Sequence, residues 1–254
     1  MDTNKKQMMS DEDIKEYHDI EKNMRKKELI KHNKKFVYPG TVRESINGKR
    51  HYVIGESKLP SVTTILQATM SEEKRESLRR WTERVGKKEA ELVKDRAASR
   101  GTTMHKILEH KILGTGHADL TDTGQQAMKM ADMIADRGLS KVSEFYGTEV
   151  TLHYPDLYAG QTDLSGIFDG KDSIIDFKQT NKPKQREWID DYFIQLAAYC
   201  MAHDFVYGTY IEKGVVMMCS PDLFYQEFII EGEELKDYKY KWLQRVDQYY
   251  AQSS

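Results

Sequence analysis

The sequence predicts an α/β domain in which a sheet crossed by one helix follows a helical N-terminal half. Three observations predict it. Residues 71–137 place apolar side chains at helical spacing, and after Gly138 the text turns to short β-rich runs broken by turn signals. Two further helical patterns, 189–205 and 233–250, lie between and after those runs. Helices, then a sheet crossed by a helix, then a closing helix are most simply buried as layers around a sheet.

Taken in order, residues 1–35 are dense in Lys and Glu with thinly spaced apolar residues, as expected of a solvated helix or partly ordered arm. We expect one domain over 36–254, with a helical part at about 58–138 and a sheet core at about 144–254. Asn47-Gly48 lies between two strand-like runs and predicts a hairpin. Ser71 caps a helix with Glu72 and Glu73 in its first turn, and Leu78, Trp81 and Val85 form its buried stripe. Gly86 interrupts that helix. A second helix is expected after Gly101, carrying His105, Leu108 and Ile112, and a third over 122–137 with its Met and Ala face buried. A strand at 147–156, a hairpin at 160–180, a loop at 181–188 and the helix 189–205 follow. Two strands come next, the first breaking at Lys213-Gly214. The closing helix buries Leu235, Tyr238, Trp242 and Val246.

The bulk numbers bound the function without choosing it. With 254 residues, 31% charged and 39% hydrophobic, the chain suits one polar globular domain rather than a disordered one. A net charge of −2 neither supports nor excludes nucleic acid, because local patches matter and a metal site adds acids to the total. Two cysteines, Cys200 and Cys219, argue against a disulfide scaffold or a zinc module and are too few for a four-cysteine iron-sulfur cluster. The N-terminal text is too polar for a signal peptide, and no run reaches the length of a membrane span, so a cytoplasmic protein with no membrane partner is expected.

Chemistry concentrates in "GQTDLSGIFDGKDSIIDFKQT", residues 160–180. If Asp169-Gly170 is a two-residue turn, Phe168 faces Lys171 and Asp163 lands opposite Asp176. Side chains alternate, so Gln161, Asp163, Asp176 and Lys178 share one face while Ile175 and Phe177 point to the other. Carboxylates facing each other across a ladder repel, and packing alone would avoid them. A divalent cation removes the conflict, and few oxygen ligands with room for water and phosphate suit Mg²⁺. Lys178 on that face can contact a phosphate oxygen or hold an attacking water. Read alone, a D-x-K is far more often a charged surface hairpin.

The order of motifs resembles the PD-(D/E)XK nucleases, RecB-like branch: Gly160 and Asp163, a hairpin, Asp176 and Lys178, then Gln195 and Tyr199 in a Q-x-x-x-Y helix, with Gly101 and His105 upstream. "LPSVTTILQATM" followed by "RRWTERV" is similar to the mitochondrial genome maintenance exonucleases and their phage-encoded relatives. Gln179 departs from the pattern, where Thr or Ser often follows the Lys directly, and Thr180 comes one later. The resemblance implies a restriction-endonuclease-like core, a mixed central sheet flanked by helices, with the helical half able to arch over the site. It implies Asp163, Asp176, Lys178 and His105 as catalytic, and an ion held by His105, Asp163, Asp176 and the Phe177 carbonyl. Mn²⁺ accepts imidazole more readily than Mg²⁺, and this ligand set permits either ion.

Other residues carry two readings each. Glu149 is either an acidic partner to the site or an exposed strand carboxylate. Gln195 and Tyr199 are packed core or, by resemblance, support for the Lys and contacts to substrate. Ser61 and Thr63 could meet phosphate through their hydroxyls. Lys182 and Lys184, in the loop after Lys178, form a solvated run or follow a phosphate backbone. Arg79, Arg80 and Trp81 combine charge with a ring able to stack on a base, although Trp81 lies on the stripe assigned to the core. The implied activity is a Mg²⁺- or Mn²⁺-dependent exonuclease acting on single-stranded DNA as a monomer in the cytoplasm, the host's if phage-encoded. Its rivals are a duplex-loading recombination exonuclease and a non-cleaving DNA-binding module.

Overall fold

Two sheets, six α-helices and two short 3₁₀ helices make up the described part of the chain; the structure, a computed structural model, describes residue 15 and residues 31–252. A two-residue strand, β1 (Lys31–His32), opens it. A small antiparallel sheet follows, β2 (Arg43–Ile46), β3 (Lys49–Ile54) and β4 (Ser57–Pro60). The helical part runs through α1 (Val62–Ala68), α2 (Glu72–Val85), α3 (Lys87–Ile112) and α4 (Asp122–Arg137). Then come β5 (Val142–Tyr154), β6 (Tyr158–Phe168), β7 (Lys171–Gln179), α5 (Asp190–Tyr207), β8 (Lys213–Cys219), β9 (Tyr225–Glu231) and α6 (Gly232–Ala251).

The large sheet is mixed and six-stranded, in the order β1-β5-β6-β7-β8-β9. β5, β6 and β7 form an antiparallel meander, and α5 crosses from β7 to β8, which lie parallel. Helices cover both faces. Ile174, Val216 and Met218 pack with Phe193, Leu196 and Trp242 of α5 and α6, whereas Leu164, Ile175, Phe177 and Met217 pack with Met104, Ile107, Met130 and Ile134 of α3 and α4. This is the expected α/β architecture, a mixed central sheet flanked by helices. Among the described residues no helix is long and apolar enough to cross a membrane.

Both predicted hairpins form with the expected two-residue loops. Ile46 pairs with Lys49 across Asn47-Gly48, and Phe168 with Lys171 across Asp169-Gly170. All four loop residues have positive φ, the requirement of a type I′ turn that matches strand twist. The Met and Ala face of α4 and the four-residue stripe of α6 are buried as expected.

Four expectations are corrected. Gly101 starts no helix: α3 runs through it without a break for 26 residues. A Cβ at Gly101 would lie 3.2 Å from Gln179 Cγ, so the glycine serves the close approach of α3 to the end of β7. The stripe of α2 is not core, because no α2 residue is buried and Leu78 is 46% exposed. Lys213-Gly214 makes no turn; β8 starts there, and Leu196 and Ile230 leave only 3.0–3.1 Å for a Cβ at Gly214. Finally, Lys31–His32, within the expected arm, pair in parallel with β5 as an edge strand. Of the rest of that arm, residues 1–14 and 16–30 lie outside the described residues.

Candidate active site

The 163–176 pair stands where β6 and β7 begin to separate. The last bridged pair is Leu164 with Ile175, so the register puts Asp163 across from Asp176 one step further on. Ladder bonding stops there, and the Phe177 N–H donates to the Asp163 carboxylate instead of to backbone. Both acids are buried, at 6% and 2% exposure. Each has its own counter-charge. The Lys178 ammonium lies against Asp176 Oδ2, and His105 of α3 meets Asp163 at 3.0 Å between Nδ1 and Oδ1. The repulsion expected to require an ion is thus already offset by two side chains, as burial of carboxylates demands.

Glu149 is the third acid of the cluster and not an outlying strand carboxylate. It stands across β5–β6 from Asp163, between the pairs Thr148–Leu164 and Val150–Thr162. Its φ of 51° lies in the left-handed region, sparsely populated for a residue with a side chain. The Thr148 hydroxyl donates to the Asp163 carbonyl, and the Gln161 amide donates to the Glu149 carbonyl, so neighbouring side chains hold this backbone. His105, Glu149 and Asp163 each bring one ligand atom within 4.8 Å of the others. The geometry brings Glu149 beside His105 and Asp163 and sets Asp176 against Lys178.

The electrostatics follow from burial and mutual charge. Burial lifts the Asp176 carboxyl to about 6 against the pull of Lys178, and burial with Asp163 alongside lifts Glu149 to about 7. For His105, burial works downward but the facing Asp163 outweighs it and raises the imidazole to about 9. Asp163 is held below the usual carboxylate range, because His105 and Lys178 overcome its burial. Lys178 is raised, the two aspartates outweighing its desolvation.

The donor set fits a divalent cation. One imidazole, of His105, and the carboxylates of Glu149 and Asp163 converge with no thiolate, a nitrogen and oxygen donor set of the kind that holds a divalent cation. Asp176 Oδ2 is buried against the Lys178 ammonium, which offsets its charge.

These groups line a cavity of about 180 Å³ together with Gln195 and Tyr199. The Gln195 amide donates to the Tyr199 hydroxyl at 2.9 Å, so the Q-x-x-x-Y pair is joined internally, and both residues are buried. Tyr199 explains Gly160: a Cβ there would sit 2.5 Å from Tyr199 Cε1. Lys178 Nζ lies 5.0 Å from the centre of the Tyr192 ring, a second hold on the ammonium. Ser61 lines the cavity but spends its hydroxyl capping α1, where it accepts from the Thr64 N–H at 2.9 Å. Thr63 is exposed at the rim, 3.0 Å from Ser61 Oγ. The Phe177 ring packs into the opposite core and meets His105 edge-on at 6.2 Å. Lys182 and Lys184 do not line the cavity; Lys184 is tied through its backbone to Gln226 of β9. Gln179, directly after Lys178, accepts from Arg100 of α3 at 2.8 and 3.0 Å and anchors the end of β7.

No family model matches the chain. The chain is similar in sequence to vertebrate mitochondrial genome maintenance exonuclease 1. It is 30% identical to the Mus musculus protein over 206 residues, 76% of this chain and 59% of that one. It is 26% identical to the Homo sapiens protein over 203 residues, covering 75% and 58% of the two chains. The Xenopus tropicalis protein is 27% identical over 216 residues, covering 81% and 60%. The chain thus spans a little under two thirds of the length of the curated relatives it matches.

Sequence reading missed three cavity residues carried by the small sheet, Arg43, Arg50 and Tyr52. The Asn47-Gly48 turn was a signal for their pairing, since its register sets Arg43 opposite Tyr52 and Ser45 opposite Arg50 and so puts both arginines on one face. Nothing local said what that face would meet.

Proposed function

We propose that the chain is a metal-dependent DNA exonuclease of the PD-(D/E)XK type that hydrolyses phosphodiester bonds from free ends of single-stranded DNA. The observation that carries this reading is the convergence of His105, Glu149, Asp163, Asp176 and Lys178 in one cavity at the mouth of the β6–β7 hairpin. The similarity to exonucleases that maintain mitochondrial genomes supports the same reaction class.

His105, Glu149, Asp163 and Asp176, with the Phe177 carbonyl, would hold a Mg²⁺ or Mn²⁺ ion. Such an ion, when bound, neutralises phosphoryl oxygens and acidifies water. Asp163 and His105 orient each other through their 3.0 Å contact. Lys178, held by Asp176 and the Tyr192 ring, presents a cation to a phosphate oxygen and orients the attacking water. The preference for a single strand rests on α2 and the first half of α3, where Arg79, Arg80, Arg84, Lys87 and Lys88 are exposed beside exposed Leu78 and half-buried Trp81. A strand threaded beneath these helices to reach the cavity would require a free end. The protein acts as a monomer in the cytoplasm, in phage-type DNA replication, recombination or degradation.

With Mg²⁺, purified protein should degrade linear single-stranded DNA, leave a closed circle intact and stop on chelation. Lys178→Ala should keep strand binding and lose cleavage. Equal cutting of circles would remove the end requirement, and an inert parent protein would remove the nuclease reading.

A further inference from the structure

The acid cavity opens on its His105–Glu149 side into a second hollow lined by Arg43, Arg50, Thr102, Lys106 and Glu109. The two hollows share Arg43, Arg50, His105 and Glu149, and so form one groove. Lys178, Gln195 and Tyr199 stand at one end of it, and Thr102 and Lys106 at the other.

Separate elements bring the cations of the second end together. Arg43 and Arg50 come from the inward face of the small sheet, on adjacent strands. Thr102 and Lys106 lie one turn apart on the exposed face of α3 that also carries His105. The small sheet is fixed against the site by its backbone: Arg50 O accepts from the Ser61 N–H and the Thr64 hydroxyl, both at 3.0 Å. Arg43 rests over the Tyr52 ring, 5.5 Å from its centre. Among the described residues neither Arg43 nor Arg50 has a carboxylate within 4 Å, although Glu149 and Glu109 line the same hollow. By contrast, outward-facing Lys58 and Glu44 of this sheet pair with each other at 2.7 Å. Two guanidiniums are thus held over an acidic centre with their donors uncommitted. The two guanidiniums repel each other and Lys106 in the same hollow, and an anion that spans them relieves that repulsion.

We propose that this end of the groove is a phosphate subsite, in which Arg43 and Arg50, with Lys106 facing them from α3, bind the backbone phosphate neighbouring the scissile one. The inference rests on the nuclease reading and adds to it a positively charged grip supplied by the small sheet. Arg43 and Arg50 are positioning residues: they hold the strand in register with the cluster.

The test is equilibrium binding of a fluorescent 20-nucleotide oligothymidylate in EDTA across a salt series, for the parent, Arg43→Ala, Arg50→Ala, the double alanine variant and Arg43→Lys/Arg50→Lys. Each phosphate contact in a single strand contributes about 0.7 to the slope of log affinity against log salt, so the double alanine variant, which gives up one phosphate, should lose about 0.7 from it. Its affinity at moderate salt should fall about tenfold or more, with thermal unfolding unchanged. The double lysine variant should retain the slope, because the charge is retained. In cleavage assays KM should rise more than kcat falls. A parent that binds and cleaves, with a double alanine variant of unaltered slope, overturns this subsite and leaves the nuclease reading standing. A parent that neither binds nor cleaves overturns both.

Discussion

Replacing Gly160 by alanine should damage the site through one contact. The added Cβ would stand 2.5 Å from Tyr199 Cε1, 3.1 Å from its hydroxyl and 3.2 Å from Cζ. Ordinary carbon–carbon contact begins at about 3.5 Å, so β6 or the ring must move by about 1 Å. Tyr199 cannot swing away easily, because it is buried on α5 and accepts from Gln195. Forcing a methyl into packed surroundings costs about 1–3 kcal/mol. The same displacement reaches Asp163, three residues along β6, and a misplacement of about 1 Å at a reacting centre costs about 10²-fold in rate. Urea unfolding and cleavage of a linear oligonucleotide measure the two effects. Tyr199→Phe keeps Cε1 and should give no relief, whereas Tyr199→Leu removes the ring and should make the alanine far less harmful. Gly160→Ala at parental stability and rate, or an equal penalty in the leucine background, would refute the reasoning.

Three further outcomes are expected. Mn²⁺ at about a hundred times its Kd should stabilise the parent by about 2.7 kcal/mol, and Asp163→Asn should abolish the gain, as read by thermal unfolding with and without the ion. His203 is buried among Tyr38, Tyr207 and Phe36, and burial pushes its imidazole down to about 4. The unfolded chain therefore takes up its proton first. This contribution is present above about pH 6.5 and lost as the pH falls towards 4, by about 2 kcal/mol between 6.5 and 5, and His203→Gln should flatten that loss in urea titrations. Trp242, fully buried and edge-on to Tyr158 at 4.8 Å, should cost about 3–5 kcal/mol when cut to alanine, measured by the same unfolding experiment.

What could be read from the sequence was local. Asp169-Gly170 and Asn47-Gly48 set registers because a two-residue turn leaves little freedom, and the facing of Asp163 and Asp176 followed from the first. The α4 and α6 faces were legible because periodicity reports burial when a helix packs along one side. Periodicity misled at α2, where Leu78 is exposed and Trp81 and Val85 are only half-buried. Gly101 misled because glycine marks either a helix end or a close approach, and Gln179, which it approaches, is 78 positions away in sequence. Glu149 stayed ambiguous for a similar reason: its backbone is held in the left-handed region by Gln161, on the neighbouring strand. The second sheet's place over the cavity depended on Arg50 and Ser61 bonding through their backbones, which leaves no trace in side-chain pattern.

The chain's two thiols are both buried, and burial raises each well above the usual range, Cys219 to about 11. Alkylating reagents should pass them by at neutral pH. A single cysteine introduced on the outer side of α2 would then take a fluorophore alone, without first stripping the native thiols, and its distance to a dye on the DNA would report threading in real time.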